Sequence, residues 1–333
     1  MTDETQTPST APTAQSAGGE APTLPAQLDA AEVRRRISPR SAREALERAL
    51  AAGFDPAADP ARVPVAAGEG QLLLMPSTIG DVTGVKIASV SPGNPERGLP
   101  RIQALYLLMD SATLTPIAIL DGAELTAVRT PAVTAVAADH LAAPDASRAV
   151  IIGSGPQAQA HAHAMAEIRE LDDIVLVGRS RERLQAAVDR LVRGGLPARA
   201  AAEDETREAI RGAQIIVCAT TAATPVLEDA DIAPGAFVAA IGSHEPDKRE
   251  LPAALLQRSL VVVEDSATAL REAGDVIIAI EEGALGEDAL VSLADVVAGR
   301  TARPADAPVV FKGTGMGWED LAVAATALDE PRA

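Results

Sequence analysis

The stretch RAVIIGSGPQAQAHAHAMAEI, residues 148–168, constrains the fold more than any other part of the chain. An apolar run stops at Gly153; Gly155 and Ala158 follow, and an alanine-rich run of helix formers begins, which is the G-x-G-x-x-G/A pattern between a strand and a helix. The first glycine permits a tight turn. The second lets the backbone approach a pyrophosphate, and the small third residue lets helix and strand pack closely. The helix start adds unpaired N–H groups and a favourable field for phosphate oxygens. A dinucleotide-binding turn is expected here, with a merely structural glycine turn as the alternative.

The surrounding texture supports a fold built on that turn. After APDAS, the short apolar runs AVIIGSG, DDIVLVGR, AQIIVCAT, AFVAAIGS and SLVVVED alternate with Ala/Glu/Arg-rich helical stretches. Such alternation predicts an α/β fold with a Rossmann-type doubly wound parallel sheet, buried on both faces, over 146–304. Upstream, QLLLMPS, VKIASVSP, ALYLLMD and PIAILDG follow one another with turn residues between, which predicts an antiparallel or mixed sheet in a second, mixed α+β domain. Residues 29–53 read as one or two surface helices closed by Gly53, and 124–142 as a helix that Pro131 can interrupt. The last segment, a strand, a Gly-rich turn and a helix, is expected to return to the first domain, giving 29–145 plus 305–333 as its extent. The start of the chain, rich in Thr, Ala, Pro and Ser, is expected to be a disordered tail over 1–28 and lacks the basic start and apolar block of a signal peptide.

Bulk properties exclude several classes of function. Forty-seven acidic against 29 basic residues give a net charge of −18, which would repel nucleic acid and anionic membranes, and 2% aromatic content leaves little for stacking on bases. No apolar run approaches the roughly 18 residues of a membrane helix. The one cysteine, Cys218, lies in the apolar run AQIIVCAT, so there is neither a disulfide framework nor a cysteine-based zinc site, and a reducing, cytoplasmic setting is expected. His140, His161, His163 and His244 lack suitably spaced acids, so no metal site is expected.

Two strand ends carry chemistry. DIVLVGRSRERL ends in Arg179, Ser180 and Arg181, where NAD-specific proteins often carry an acid for the ribose hydroxyls. Guanidinium forks and a hydroxyl suit the 2′-phosphate of NADP, so NADP(H) is favoured and NAD(H) remains possible; in the alternative, Arg181 and Arg183 simply face solvent. AFVAAIGSHEPDKREL delivers His244 to the end of another strand, as an acid/base or as a loop residue.

Taken in order, GVKIASVSPGNPERGLP, ILDGAELTAVRTPA, IIGSGPQAQAH, AIGSHEPDKREL and FKGTGMGWEDLAVA resemble the ornithine cyclodeaminase/mu-crystallin family over about 55–330. The resemblance implies a homodimer built through the first domain, a Rossmann domain, a cleft between them, and nicotinamide chemistry on a small α-amino or α-imino acid. Arg62, Lys86 and Arg129 match the family's substrate-carboxylate clamp. Lys86 interrupts an apolar strand and Arg129 a helix of small residues, where a cation is costly unless an anion meets it; an internal acid such as Asp121 or Glu124 is the alternative partner. Lys86 is also the expected proton donor or orienting group for the substrate nitrogen, its pKa drawn down by burial beside Arg129. The cofactor-side matches are Pro156, Gln157, Thr220, Ile241, Gly242, Ser243, Lys248 and Gly313, with Thr314 beside the substrate and Arg101 where cyclodeaminases carry a threonine. Aligning Pro246, Lys248, Glu250 and Leu251 puts His244 where cyclodeaminases hold the aspartate that binds the distal amine. A neutral imidazole or an imidazolium holds an ammonium poorly. Pro246, Asp247, Arg249, Glu250 and Leu251 match the ending of mu-crystallin-like ketimine reductases instead. Hydride transfer to a C=N bond is therefore the expected reaction. Ornithine cyclodeamination with His244 as base, and a weakly catalytic NADPH-dependent binding protein, are the alternatives.

Overall fold

In a computed structural model, residues 24–202 and 205–328 are described, and they form two sheets joined by helices. The first sheet takes β1 (Ala26–Leu28), β2 (Val63–Ala67), β3 (Gly70–Ile79), β4 (Val82–Val90), β5 (Ile102–Asp110) and β6 (Pro116–Asp121), in the order β1-β6-β5-β4-β3-β2. The strands β2 to β6 pair antiparallel in an up-and-down meander, and β1 adds parallel to β6. The four apolar runs are thus β3 to β6, and the sheet is mixed. Both edge strands escaped the sequence reading. Strand β1 is three residues long and occupies part of the expected tail; residues 1–23 lie outside the described residues. Strand β2 contains Pro64 and is exposed at every residue, which an edge tolerates because its N–H row need not pair on both sides.

Helices α1 (Ala30–Arg36) and α3 (Gly122–Leu141) pack on one face of this sheet, and α2 (Pro39–Ala51) packs on α3. Ser38 caps α2, and the chain leaves it through Gly53 at φ 91°. Helix α3 runs unbroken through Pro131, and its apolar residues are distributed all round because it is packed on several sides, by α2, by β5 and by the helix that follows the glycine turn.

The second sheet is wholly parallel: β7 (Arg148–Ile152), β8 (Asp173–Val177), β9 (Ala198–Ala200), β10 (Ile215–Cys218), β11 (Phe237–Ala240), β12 (Leu260–Val263), β13 (Leu290–Ser292) and β14 (Val309–Lys312), ordered β13-β12-β14-β11-β10-β7-β8-β9. Its helices are α4 (Pro156–Ile168), α5 (Arg181–Arg193), α6 (Thr206–Arg211), α7 (Ala253–Gln257), α8 (Ser266–Glu272), α9 (Gly274–Glu281) and α10 (Leu293–Val297). The chain runs outward from β7 to β8 and β9, then returns to β10 on the other side. The crevice of a doubly wound sheet therefore opens between the ends of β7 and β10. One boundary needs correction. Strand β14, expected with the first domain, inserts between β11 and β12, and only α11 (Gly317–Ala325) crosses back to pack on β3, β4 and α2. The segment 313–316 consequently bridges the two units at the crevice. No described helix is long and apolar enough to cross a membrane.

Candidate active site

The glycine turn has the geometry its residues predict. Gly153 takes φ 138°, and a Cβ there would come within 2.5 Å of the Ala219 carbonyl at the end of β10, so only glycine fits between the two central strands. Ala158 is fully buried against it. Gly155 is the N-cap of α4, with no side chain capping the helix and open space where a Cβ would sit. Pro156 takes the first helical turn, where a missing N–H costs nothing. Free N–H groups facing open space suit a pyrophosphate. Gln157 turns toward α3, its Nε2 3.5 Å from the Thr126 carbonyl. At the end of β8, Arg179 and Arg181 are exposed and form no ion pair among the described residues, while the Ser180 hydroxyl accepts the Arg183 N–H and caps α5.

The ends of β10, β11 and β14 are tied together by a buried charge cluster that the sequence reading missed. Glu250 accepts hydrogen bonds from the Thr220 N–H at 2.8 Å, the Thr220 hydroxyl at 2.7 Å and the Gly242 N–H at 2.8 Å. Asp275 accepts from the Glu250 and Leu251 N–H groups and pairs with the wholly buried Lys312 at 3.0 Å; Lys312 in turn donates to the Ser243 carbonyl. Burial lifts the Glu250 carboxyl to about 6 against the pull of Thr220 and Lys312. The Ser243 hydroxyl is taken by the Glu245 and Lys248 carbonyls, and Lys248 pairs with Glu245, near the charge of Arg101. Ile241, Gly242, Ser243 and Gly313 thus reach the crevice on a fixed backbone. An apolar strand ending in lysine, VVFK, was the available signal for Lys312, the same signal that singled out Lys86.

Lys86 and Arg129 converge on one acid. Lys86 Nζ lies 2.7 Å from Asp320 Oδ2 and 3.4 Å from the Thr126 hydroxyl; Arg129 Nε donates to Asp320 Oδ1 at 3.3 Å and Nη1 to Glu319 Oε2 at 2.7 Å. The cations therefore do meet internal acids, though these come from α11 rather than from Asp121, which caps α3, or Glu124, which pairs with Arg34. Glu319 and Asp320, two acids in the apolar run GWEDLAVA, were quoted in the resemblance without a role. Burial, then the neighbouring Glu264, push the Glu319 carboxyl well above its usual range, with Arg129 opposing them. Two cations, Lys86 and Arg129, thus share the buried Asp320 carboxylate. Burial first draws Lys86 down to about 8, Arg129 and Arg62 lower it further, and Asp320 opposes them.

Arg62 approaches from the loop before β2. Its guanidinium donates to the Thr314 carbonyl at 3.1 Å and to the Gly315 carbonyl, and pairs with Glu272 on α8 at 3.0 Å. Glu264, at the end of β12, accepts from the Thr314 N–H and hydroxyl at 2.7 and 2.8 Å and from the Gly315 N–H. Gly315 takes φ 77°, and a Cβ there would meet the Arg129 guanidinium at 2.5 Å. His244 is solvent-accessible at the mouth of the crevice. Its crowded surroundings, then Arg62 and Lys312, hold its imidazole below the usual value, with Glu245 and Glu272 opposing. His161 instead is packed between α3 and α4, bonded to Thr134 and the Gln157 carbonyl.

A profile of the ornithine cyclodeaminase/mu-crystallin family matches residues 26–332. The Delta(1)-pyrroline-2-carboxylate reductase of Bacillus cereus is 35% identical over 269 residues, covering 79% of this chain and 82% of the relative. The ketimine reductase mu-crystallin of Rattus norvegicus is 32% identical over 269 residues, covering 80% and 82%. Among solved structures, Thermococcus litoralis Delta(1)-pyrroline-2-carboxylate reductase in complex with NADH and L-proline aligns with a TM-score of 0.84 at 31% identity, over 91% of this chain and 96% of that one. With the glycine turn and with Arg62, Lys86 and Arg129 all brought to one crevice, these matches identify the lineage: the chain belongs to the ornithine cyclodeaminase/mu-crystallin family.

Proposed function

We propose that this protein is an NAD(P)H-dependent reductase of cyclic α-imino acids of the pyrroline-2-carboxylate or ketimine type, with NADP(H) preferred. What supports the reading most is that two buried cations, Lys86 and Arg129, are held together by Asp320 beside the turn at Thr314 and Gly315. A substrate carboxylate reaching that pair finds its positive partners already in place. Arg129 and Arg62 hold the substrate carboxylate, and Lys86, protonated at neutral pH and softened by burial, gives a proton to the substrate nitrogen. Bound NAD(P)H supplies the hydride to the adjoining carbon. Thr314, its hydroxyl fixed by Glu264, borders the substrate. His244 offers no negative charge in either protonation state to retain a distal ammonium, which favours reduction over cyclodeamination. Arg179 and Arg181, exposed and without an ion pair among the described residues, support NADP(H).

We also infer a homodimer in a cytoplasmic setting. Val63, Leu74, Ile87 and Leu105 stand opposite one another across four strands on the face of the first sheet away from α3, and three of them are exposed, at 49, 39 and 58% for Val63, Ile87 and Leu105. An apolar row of this kind on a sheet face fits a second copy of the chain. The decisive assay follows NADPH absorbance with Δ1-pyrroline-2-carboxylate, Δ1-piperideine-2-carboxylate and open-chain oxo acids plus ammonia. Oxidation with a cyclic imine is expected. Proline and ammonia from ornithine, with no imine reduced, would overturn the proposal.

A further inference from the structure

The three cations of the clamp are not anchored alike. Lys86 and Arg129 are met by Asp320 and Glu319 of α11, which packs on β3 and β4 of the first sheet. Arg62 alone takes its acid from the second unit. Its Nε lies 3.0 Å from Oε2 of Glu272, the last residue of α8, and at 14% exposure on both sides the pair is shielded from most of the solvent. The other Glu272 oxygen, Oε1, accepts from Arg271 at 2.9 and 2.6 Å, so each carboxylate oxygen serves one arginine. Arg62 Nη2 donates to the Thr314 carbonyl at 3.1 Å and to the Gly315 carbonyl, while the N–H groups of those two residues go to Glu264 at the end of β12. The bridging segment is therefore held on both edges, by Glu264 on one and Arg62 on the other. With Nε on Glu272 and Nη2 on the carbonyls, Nη1 is the guanidinium nitrogen left without a partner among the described residues. The Arg62 charge lowers the proton affinity of both Lys86 and His244, so it reaches the clamp and the mouth of the crevice together.

We propose that Glu272 is a positioning residue for substrate binding: it holds Arg62 across the crevice with Nη1 free for the substrate carboxylate, so that the third cation is set only while the two units are together. The inference rests on the assignment of Arg62 to the substrate carboxylate made above. A guanidinium is a planar fork, and its grip on a carboxylate depends on that plane being fixed. A free arginine side chain would have to give up its rotamer freedom each time a substrate arrives; Glu272 and the two carbonyls order it beforehand. Glu272→Gln disturbs this in a defined way. The amide keeps the size of the side chain, but its NH2 end presents donors to either Arg62 or Arg271, neither of which can accept.

Steady-state kinetics of NADPH oxidation with Δ1-pyrroline-2-carboxylate test the proposal. Glu272→Gln is expected to raise the KM for the imine about tenfold and to leave kcat within about twofold of wild type, because an interaction common to bound substrate and transition state is weakened. The KM for NADPH should stay at its wild-type value, which also shows that the variant is folded. In an Arg62→Ala background the same change should add nothing, since Glu272 acts through Arg62. A wild-type imine KM in Glu272→Gln would overturn the proposal. So would an equal rise in KM with and without Arg62, or a parallel loss of NADPH affinity, since Glu272 would then touch the substrate itself or support the fold at large. If instead Arg62→Ala leaves the imine KM unchanged, it is the assignment of Arg62 to the substrate that fails, and the positioning role falls with it.

Discussion

Replacing Lys86 with Met separates function from stability, because the wild-type lysine is held at a cost. Its fall from 10.5 to about 8 corresponds to about 3 kcal/mol against the ammonium at neutral pH. Methionine of similar length removes that cost and fills the same space. What it leaves behind is Asp320, which keeps Arg129 Nε at 3.3 Å and so does not become an isolated buried charge. Losing one partner of a buried pair typically costs about 3–5 kcal/mol; relief of the lysine's own cost offsets most of it, and a net change within about 2 kcal/mol is expected. Activity should behave otherwise. Loss of a positioned proton donor lowers turnover by about 10²- to 10⁴-fold, while NADPH affinity, set by the glycine turn and the end of β8, stays near wild type. The pH dependence gives a further check. Reduction needs the ammonium, so wild-type turnover should decline as pH rises through about 8, whereas oxidation of the amino acid should increase. For stability the sign is also fixed. Between about 8 and 10.5 the unfolded chain binds more protons at this site than the folded one, so this lysine makes stability rise with pH across that window, and the Met variant loses that contribution. Denaturant titrations, NADPH calorimetry and absorbance kinetics measure the three quantities. Wild-type turnover in the variant would refute the assigned role, and a loss of stability well beyond 5 kcal/mol would make Lys86 a structural residue.

Other perturbations probe separate parts of the molecule. Changing Arg179 and Arg181 together to Ala should raise the KM for NADPH by about ten- to a hundredfold and leave that for NADH nearly unaltered; an unchanged NADPH/NADH ratio would remove the basis for preferring NADP(H). Lys312→Met leaves Asp275 buried without its cation and should lower unfolding free energy by about 3–5 kcal/mol in denaturant titration, where wild-type stability would contradict the tie between the three strand ends. Leu105→Lys puts a charge in the exposed apolar row and should yield monomers in sedimentation; a stable dimer would mean that this face is not the interface.

Much of the fold could be read in the residues because its strongest signals are local. The run RAVII, the two glycines and a helix of small residues specify one strand-turn-helix unit without help from the rest of the chain. Strand β14 shows the limit: VVFK reads as a buried strand, but nothing within it records that it inserts between β11 and β12. Strand β2 is held by pairing rather than by burial and β1 buries only Leu28, so neither shows the apolar-polar alternation of a half-buried strand. At the site, a cation in an apolar strand or helix was enough to single out Lys86 and Arg129. The acids that meet them were not singled out: Asp121 and Glu124, the nearest acids to Arg129 in sequence, are at the start of its own helix, whereas the chain brings Glu319 and Asp320 to Arg129 from 190 and 191 residues away. Glu250 entered only as a position of a motif, and Asp275 and Lys312 not at all, for a related reason: the part each plays makes sense only against the others.

On the proposed function, Arg62, Lys86 and Arg129 grip a carboxylate so that the neighbouring carbon faces the nicotinamide. A crystal structure with NADP⁺ and L-proline would reveal that grip. The proline carboxylate is expected within hydrogen-bond distance of Arg129 and Arg62, with the ring nitrogen beside Lys86 Nζ. It is contradicted if the three cations keep only Asp320, Glu319 and Glu272 as partners while the amino acid binds elsewhere.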